Sequence, residues 1–257
     1  MNPSDLFDLK GKTAIVTGGA NGIGLASSKM LAAFGANVVI ADLKAEAAQQ
    51  AAASIASAGG TARGLACNVT NDDELVNLVD KTVAEFGAIH ILVNNVGGGG
   101  AGKESPEDIT VEQFARVFQL NVFSMWRLCQ LVAPHMEKAG YGSIINMSSM
   151  ASINHSPAIS AYASSKAAIN HMTRNLAFDY GPTIRLNAIG PGAVRTDALA
   201  TVLTPEIEKR MLAHTPLQRL GEPDDIAGAV LYFAAPVSAW VSGQVLFVNG
   251  GGEQTLD

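Results

Sequence analysis

Apolar residues along the chain follow two alternating rhythms. Short runs that are apolar at almost every position, TAIVT, NVVIA, GLACNV, HILVNN, SIINMS, IRLNAI and QVLFV, predict strands buried on both faces, as in a parallel sheet. Between them, helical patterns occupy 22–34, 45–58, 72–86, 111–138, 158–180 and 223–234. Strand then helix, repeated, predicts an α/β fold: one doubly wound parallel sheet of about seven strands with helices on both faces. No linker or compositional break divides the chain, so one domain over 1–257 is expected. The exception to the rhythm is the long connection 190–220, whose apolar positions (Leu199, Val202, Leu203, Ile207, Met211, Leu212) suit a lid or binding loop.

Composition narrows the function. With 48% hydrophobic and 16% charged residues, the 257-residue chain can build a sizeable core. Acids outnumber bases, 23 to 17, and no Lys/Arg run forms a patch, which argues against nucleic acid and membrane surfaces as partners. Cys67 and Cys129 lack metal-ligand spacing, the five histidines show none either, and MNPSDLFDLKGK carries acids where a signal peptide needs bases. A cytoplasmic protein without a bound metal is expected. The longest uncharged stretch, 226–241, is shorter than the roughly 20 residues of a membrane span and contains Gly228 and Pro236.

After the first strand the chain reads TGGANGIG (17–24) and enters a helix. Glycines there permit a tight turn and close backbone approach to a pyrophosphate, which sits at the helix N-terminus. Asp42, at the end of the second strand, is placed to accept hydrogen bonds from a ribose and to repel a 2′-phosphate. The expected cofactor is therefore NAD rather than NADP, with Lys44 the one nearby residue that argues the other way.

Tyr162 and Lys166 stand four positions apart on one predicted helix, so both can point into one cleft. A phenol must drop about 3 pKa units to act as a base near neutrality, roughly 4 kcal/mol. A lysine cation at ~4 Å and an effective dielectric of ~20 supplies about that much. Ser149, just past SIINMS, lies at the sheet edge where such folds bind ligands, and Asn121 puts an amide inside an apolar helix, where it suits a water or proton relay beside Lys166.

Together TGGANGIG, NNVG at 94–97, Asn121, Ser149, the YASSK segment and Pro191 with Gly192 resemble the short-chain dehydrogenase/reductase family, essentially end to end. The resemblance implies a Rossmann fold, catalysis by Asn121, Ser149, Tyr162 and Lys166, and a homotetramer. It also implies cofactor contacts from Gly18, Asn21, Gly22, Ile23, Gly24, Asp42, Leu43, Asn68, Val69, Asn95, Tyr162, Lys166, Pro191, Gly192, Val194 and Thr196. The segments LVNNVGGGG, LVAPHMEK, RTDAL, TPEIEKRMLAHTP and VSGQVLFVNGGG are similar to the subgroup of bacterial hydroxysteroid dehydrogenases that act at the 7α position. That likeness implies oxidation of a bile-acid 7α-hydroxyl, with Gly99, Ser149, Asn154 and Tyr162 meeting the steroid. Departures from the family pattern are Asn68 for an Asp, Val96 for an Ala, a basic Arg195, and a 181–185 connection one residue short. Arg195 is read as solvent-facing, the alternative being a contact with a steroid carboxylate. Other readings are an acyl-carrier 3-ketone reductase, a sugar or polyol dehydrogenase, and a non-catalytic NAD-binding scaffold.

Overall fold

The computed structural model describes residues 3–99, 104–201 and 203–252. Gly100 of the GGGG run and Val202 of the long connection lie outside the described residues. Seven strands form one parallel sheet among the described residues: β1 (Thr13–Thr17), β2 (Asn37–Asp42), β3 (Thr61–Ala66), β4 (Ile91–Asn94), β5 (Gly142–Met147), β6 (Ile184–Pro191) and β7 (Val245–Val248). Their order is β3-β2-β1-β4-β5-β6-β7, so the winding reverses between β1 and β4, and the loops leaving these two strands open a crevice at the sheet's C-terminal edge.

Residues alternate across the sheet and feed two cores. Ala14, Val16, Val38, Ile40, Ile91, Val93 and Ile145 face α1 (Gly22–Ala33), α2 (Ala45–Ser57) and α9 (Pro223–Ala234). Ile15, Val39, Leu92, Ile144 and Leu186 face α3 (Asp72–Phe86), α5 (Ser124–Ala139) and α6 (Ser160–Asp179). Coverage on both sides explains why the central strands read as unbroken apolar runs.

Two expectations need correction. The third strand is Thr61–Ala66 rather than GLACNV at 64–69. As an edge strand it is half-exposed, so hydrophobicity does not mark it, whereas Cys67 and Val69 lie beyond the strand and owe their apolarity to burial against the core around Leu75 and Leu78. The helix expected over 111–138 is α4 (Val111–Phe118) and α5 joined by a π-helical turn, Gln119–Phe123. Single π turns of this kind recur at functional sites. The long connection carries α7 (Asp197–Ala200) and α8 (Pro205–Ala213), with Met211 buried and Leu199, Leu203, Ile207 and Leu212 half-buried.

A polar ladder ties the layers together just below the crevice. Asn94 Nδ2 donates to Asn146 Oδ1 at 2.9 Å, and Asn146 Nδ2 donates to Thr173 Oγ1 at 3.0 Å, joining β4, β5 and α6 through fully buried groups. Replacing Asn146→Ala strands both partners, which costs about 2–4 kcal/mol. A thermal melt followed by circular dichroism is expected to show a clearly lowered Tm; an unchanged Tm would contradict the ladder's role.

Candidate active site

β1 ends at Thr17 and the chain turns through Gly18, whose φ of 59° is left-handed, into α1. A Cβ on Gly24 would stand 2.0 Å from the Gly18 carbonyl oxygen, so the helix can lie on the loop only with glycine there. Asn21 caps α1, its Oδ1 accepting from the Gly22 amide at 2.8 Å. Asn95 pins the loop from the end of β4, its Nδ2 donating to the carbonyls of Thr17 (3.0 Å) and Gly18 (3.2 Å). Asp42 is held against the same loop: Oδ2 accepts from the Ala20 amide at 3.3 Å and Oδ1 from Lys44 N at 3.2 Å.

The crevice measures about 630 Å³, within the usual range for a small-molecule site. Gly18, Asn21, Gly22, Ile23, Asn95, Gly99, Ser149, Tyr162, Lys166, Pro191, Gly192, Val194 and Thr196 all line it. Gly24, Asp42, Leu43, Asn68, Val69, Asn121 and Asn154 do not form its walls. Val69 is buried in the core, Leu43 is exposed, and Asn68 Oδ1 accepts from both the amide and the hydroxyl of Thr70. Asn154 follows the short helical turn Met150–Ser152, its amide donating to the Met150 carbonyl. Arg195 turns outward, pairing with Glu208 at 3.1 Å and Glu222 at 3.3 Å, as the solvent-facing reading requires.

Lys166 is buried; its Nζ donates to the Met147 carbonyl at 2.8 Å and stands 5.6 Å from the centre of the Tyr162 ring. Tyr162 and Ser149 both line the crevice, and the Ser149 hydroxyl accepts from the Ala151 amide at 3.1 Å. Asn121, in the π turn, sits behind the Gly98 backbone: Oδ1 accepts from Gly98 N and Nδ2 donates to Gly98 O and Ser165 Oγ, each at 2.9 Å. A Cβ on Gly97 would be 3.0 Å from Lys166 Nζ and 3.3 Å from Asn121 Oδ1, so this glycine separates the two polar groups.

Burial acts on both members of the pair. Burial pushes the Tyr162 phenol above its usual value, the Ser149 hydrogen bond pulls it back, and the Glu104 charge raises it further. The same burial depresses Lys166 to about 8. A lysine field sufficient to make the phenol a base near neutrality is thus not what the pair supplies by itself, because a closed site disfavours phenolate and ammonium alike.

The sequence profile of a family described as Enoyl-(Acyl carrier protein) reductase matches residues 18–253. The chain is 49% identical over 255 residues to 7α-hydroxysteroid dehydrogenase of Escherichia coli K12, covering 99% of each. It is 39% identical to the enzyme of that name from Clostridium sardiniense, covering 95% of this chain and 94% of that one. A solved structure of 7α-hydroxysteroid dehydrogenase complexed with NADH and 7-oxo glycochenodeoxycholic acid superposes with a TM-score of 0.96 at 48% identity, covering 100% of both chains. The chain belongs to the short-chain dehydrogenase/reductase family.

Some residues of this short-chain dehydrogenase/reductase site escaped the sequence reading. Asp197 opens α7 and accepts from Asn21 Nδ2 at 2.7 Å, bridging the long connection to the glycine loop. Glu104 is buried, and its Oε2 accepts from the Tyr162 amide at 2.9 Å across 58 positions of sequence, a separation that no local motif marks.

Lys166 also leaves a signature in stability. Its folded value of about 8 lies below the ordinary 10.5, so between these pH values the unfolded chain holds a proton that the folded chain has released. Raising pH through that window favours folding through this group by up to about 1.4 kcal/mol per unit. In Lys166→Met the contribution vanishes, so any stability gain of the variant at pH 7 is expected to shrink by pH 10. A difference in Tm that stays constant across that range would contradict the buried-lysine assignment.

Proposed function

We propose that this chain oxidises the 7α-hydroxyl of bile acids to the ketone with NAD, using Tyr162 as general base. The observation that carries the reading is the convergence of Tyr162, Ser149 and buried Lys166 on one crevice floored by the glycine loop. The bile-acid assignment rests on the full-length likeness to 7α-hydroxysteroid dehydrogenases. The residues fit NAD: glycines at closest approach in the loop, the α1 N-terminus lining the crevice where a pyrophosphate would sit, and the Asp42 carboxylate on the loop's flank. When bound, NAD supplies the acceptor for the carbinol hydride.

Ser149 holds the substrate oxygen, and Tyr162 takes its proton. Lys166, cationic below about pH 8, keeps a positive charge beside the phenol and offsets part of its burial. Asn121, bonded to both the Gly98 backbone and Ser165, holds the π turn near Lys166 and suits a water or proton relay. Gly99 from the β4 loop and Leu199 of α7 line the crevice and offer a surface to a rigid apolar ligand, and Asn154, outside its walls, is read as a further steroid contact. Tyr162→Phe is expected to lower kcat by about 10²–10⁴-fold. The substrate is read from NADH absorbance with bile acids differing only at carbons 3, 7 and 12: activity is expected wherever a 7α-hydroxyl is present, and silence on all of them would remove the steroid assignment.

We read the chain as one dinucleotide-binding domain, with 190–220 as its substrate loop, acting in the cytoplasm as a homotetramer. Among the described residues no helix is long and apolar enough to cross a membrane. Two separate apolar faces support assembly: Phe123, Trp126 and Phe178 (91% exposed) on the α5 and α6 side, and Trp240 (100% exposed) with Leu246 near β7. Two self-complementary patches are what a dihedral tetramer needs. Light scattering is expected to give four chains for the parent and a smaller assembly for Phe178→Glu; a monomeric parent would contradict the reading.

A further inference from the structure

The first turn of α6 carries the proposed base, yet its N-cap is Ile159, which offers no side-chain hydrogen bond. Tyr162 occupies the third helical position, whose amide a Ser, Thr or Asp cap would ordinarily satisfy. Here the acceptor comes from a distant segment: Glu104 Oε2 takes the Tyr162 amide at 2.9 Å. Glu104 is fixed in turn by its own amide, which donates to the Ala158 carbonyl at 2.8 Å, and by a parallel bridge to Ile159. Ala158 has a φ of 52°, a strained value for a non-glycine residue, so this bridge holds a backbone shape that Ala158 would not adopt unaided. On the other side, a Cβ on Gly99 would fall 3.0 Å from Glu104 Oε1 and 3.2 Å from Tyr162 Cβ. The carboxylate therefore packs between the β4 loop and the base.

We propose that Glu104 is a positioning residue for the reaction: it caps α6 from outside the helix, fixes Tyr162 against Gly99, and brings one negative charge to the backbone end of Tyr162. This rests on the reading of Tyr162 as the proton acceptor. A carboxylate at a helix N-terminus is favourable for the helix, but it disfavours phenolate nearby. Among the described residues, the charged groups set against the phenol are Lys166 from its own helix and Glu104 from the bridge, with neutral Ser149 from the end of β5. The two charges act in opposite directions, so Glu104 moves the onset of alcohol oxidation to higher pH.

Glu104→Gln retains an acceptor for the Tyr162 amide and removes the charge; Glu104→Ala removes both. For Glu104→Gln, the pH profile of kcat for alcohol oxidation is expected to move toward acid by roughly half a unit or more. For Glu104→Ala, kcat is expected to fall about tenfold or more while KM for NAD moves less. A Gln profile superimposed on the parent's, or an Ala variant with parental kcat, would overturn the proposal. If the Ala protein does not fold, the Gln profile decides alone. Activity retained by Tyr162→Phe would instead refute the general-base reading, whereas an inactive Tyr162→Phe beside an unmoved Glu104→Gln profile refutes only the role of Glu104.

Discussion

The hydrogen bond from Lys166 Nζ to the Met147 carbonyl anchors a buried amine at the end of β5, and the rest of the site is arranged around it. Burying an ammonium is costly unless it is paired and hydrogen-bonded. The protein accepts that cost at the one place where a positive charge beside a phenol is useful. Ser148 Oγ, donating to the Lys166 carbonyl at 3.2 Å, and the Gly97 backbone, against which no side chain fits, close the space around the amine.

Burial both enables and opposes the chemistry. Burial strengthens the interactions that remain, yet it raises Tyr162 and depresses Lys166. In the proposed mechanism the Lys166 charge, Ser149 and the Glu104 charge all bear on the Tyr162 phenol. That arrangement depends on side chains held by β4, β5, α6 and the bridge before α6. The polar ladder from Asn94 through Asn146 to Thr173 ties β4, β5 and α6 together.

The connection carrying α7 and α8 meets the glycine loop through Asn21 and Asp197 and meets its own flank through Arg195 with Glu208 and Glu222. Exposed pairs of this kind are individually weak.

The apolar rhythm by itself determined the doubly wound sheet, because strands covered on both faces must be apolar at nearly every position. The glycine turn, Asp42, Ser149, and Tyr162 with Lys166 were legible for a similar reason: each is a short-range pattern whose chemistry depends on neighbours in sequence. Tertiary structure alone decided the rest. The edge strand Thr61–Ala66 shows no apolar run because solvent wets it. The π turn at Asn121 follows from packing against Gly98 and Ser165 rather than from local propensity. The burial that raises Tyr162 and depresses Lys166 is a property of the folded surroundings that residue spacing does not encode. Glu104 reaches Tyr162 across 58 positions, and only the folded chain brings a carboxylate to a helix end that its own sequence leaves uncapped.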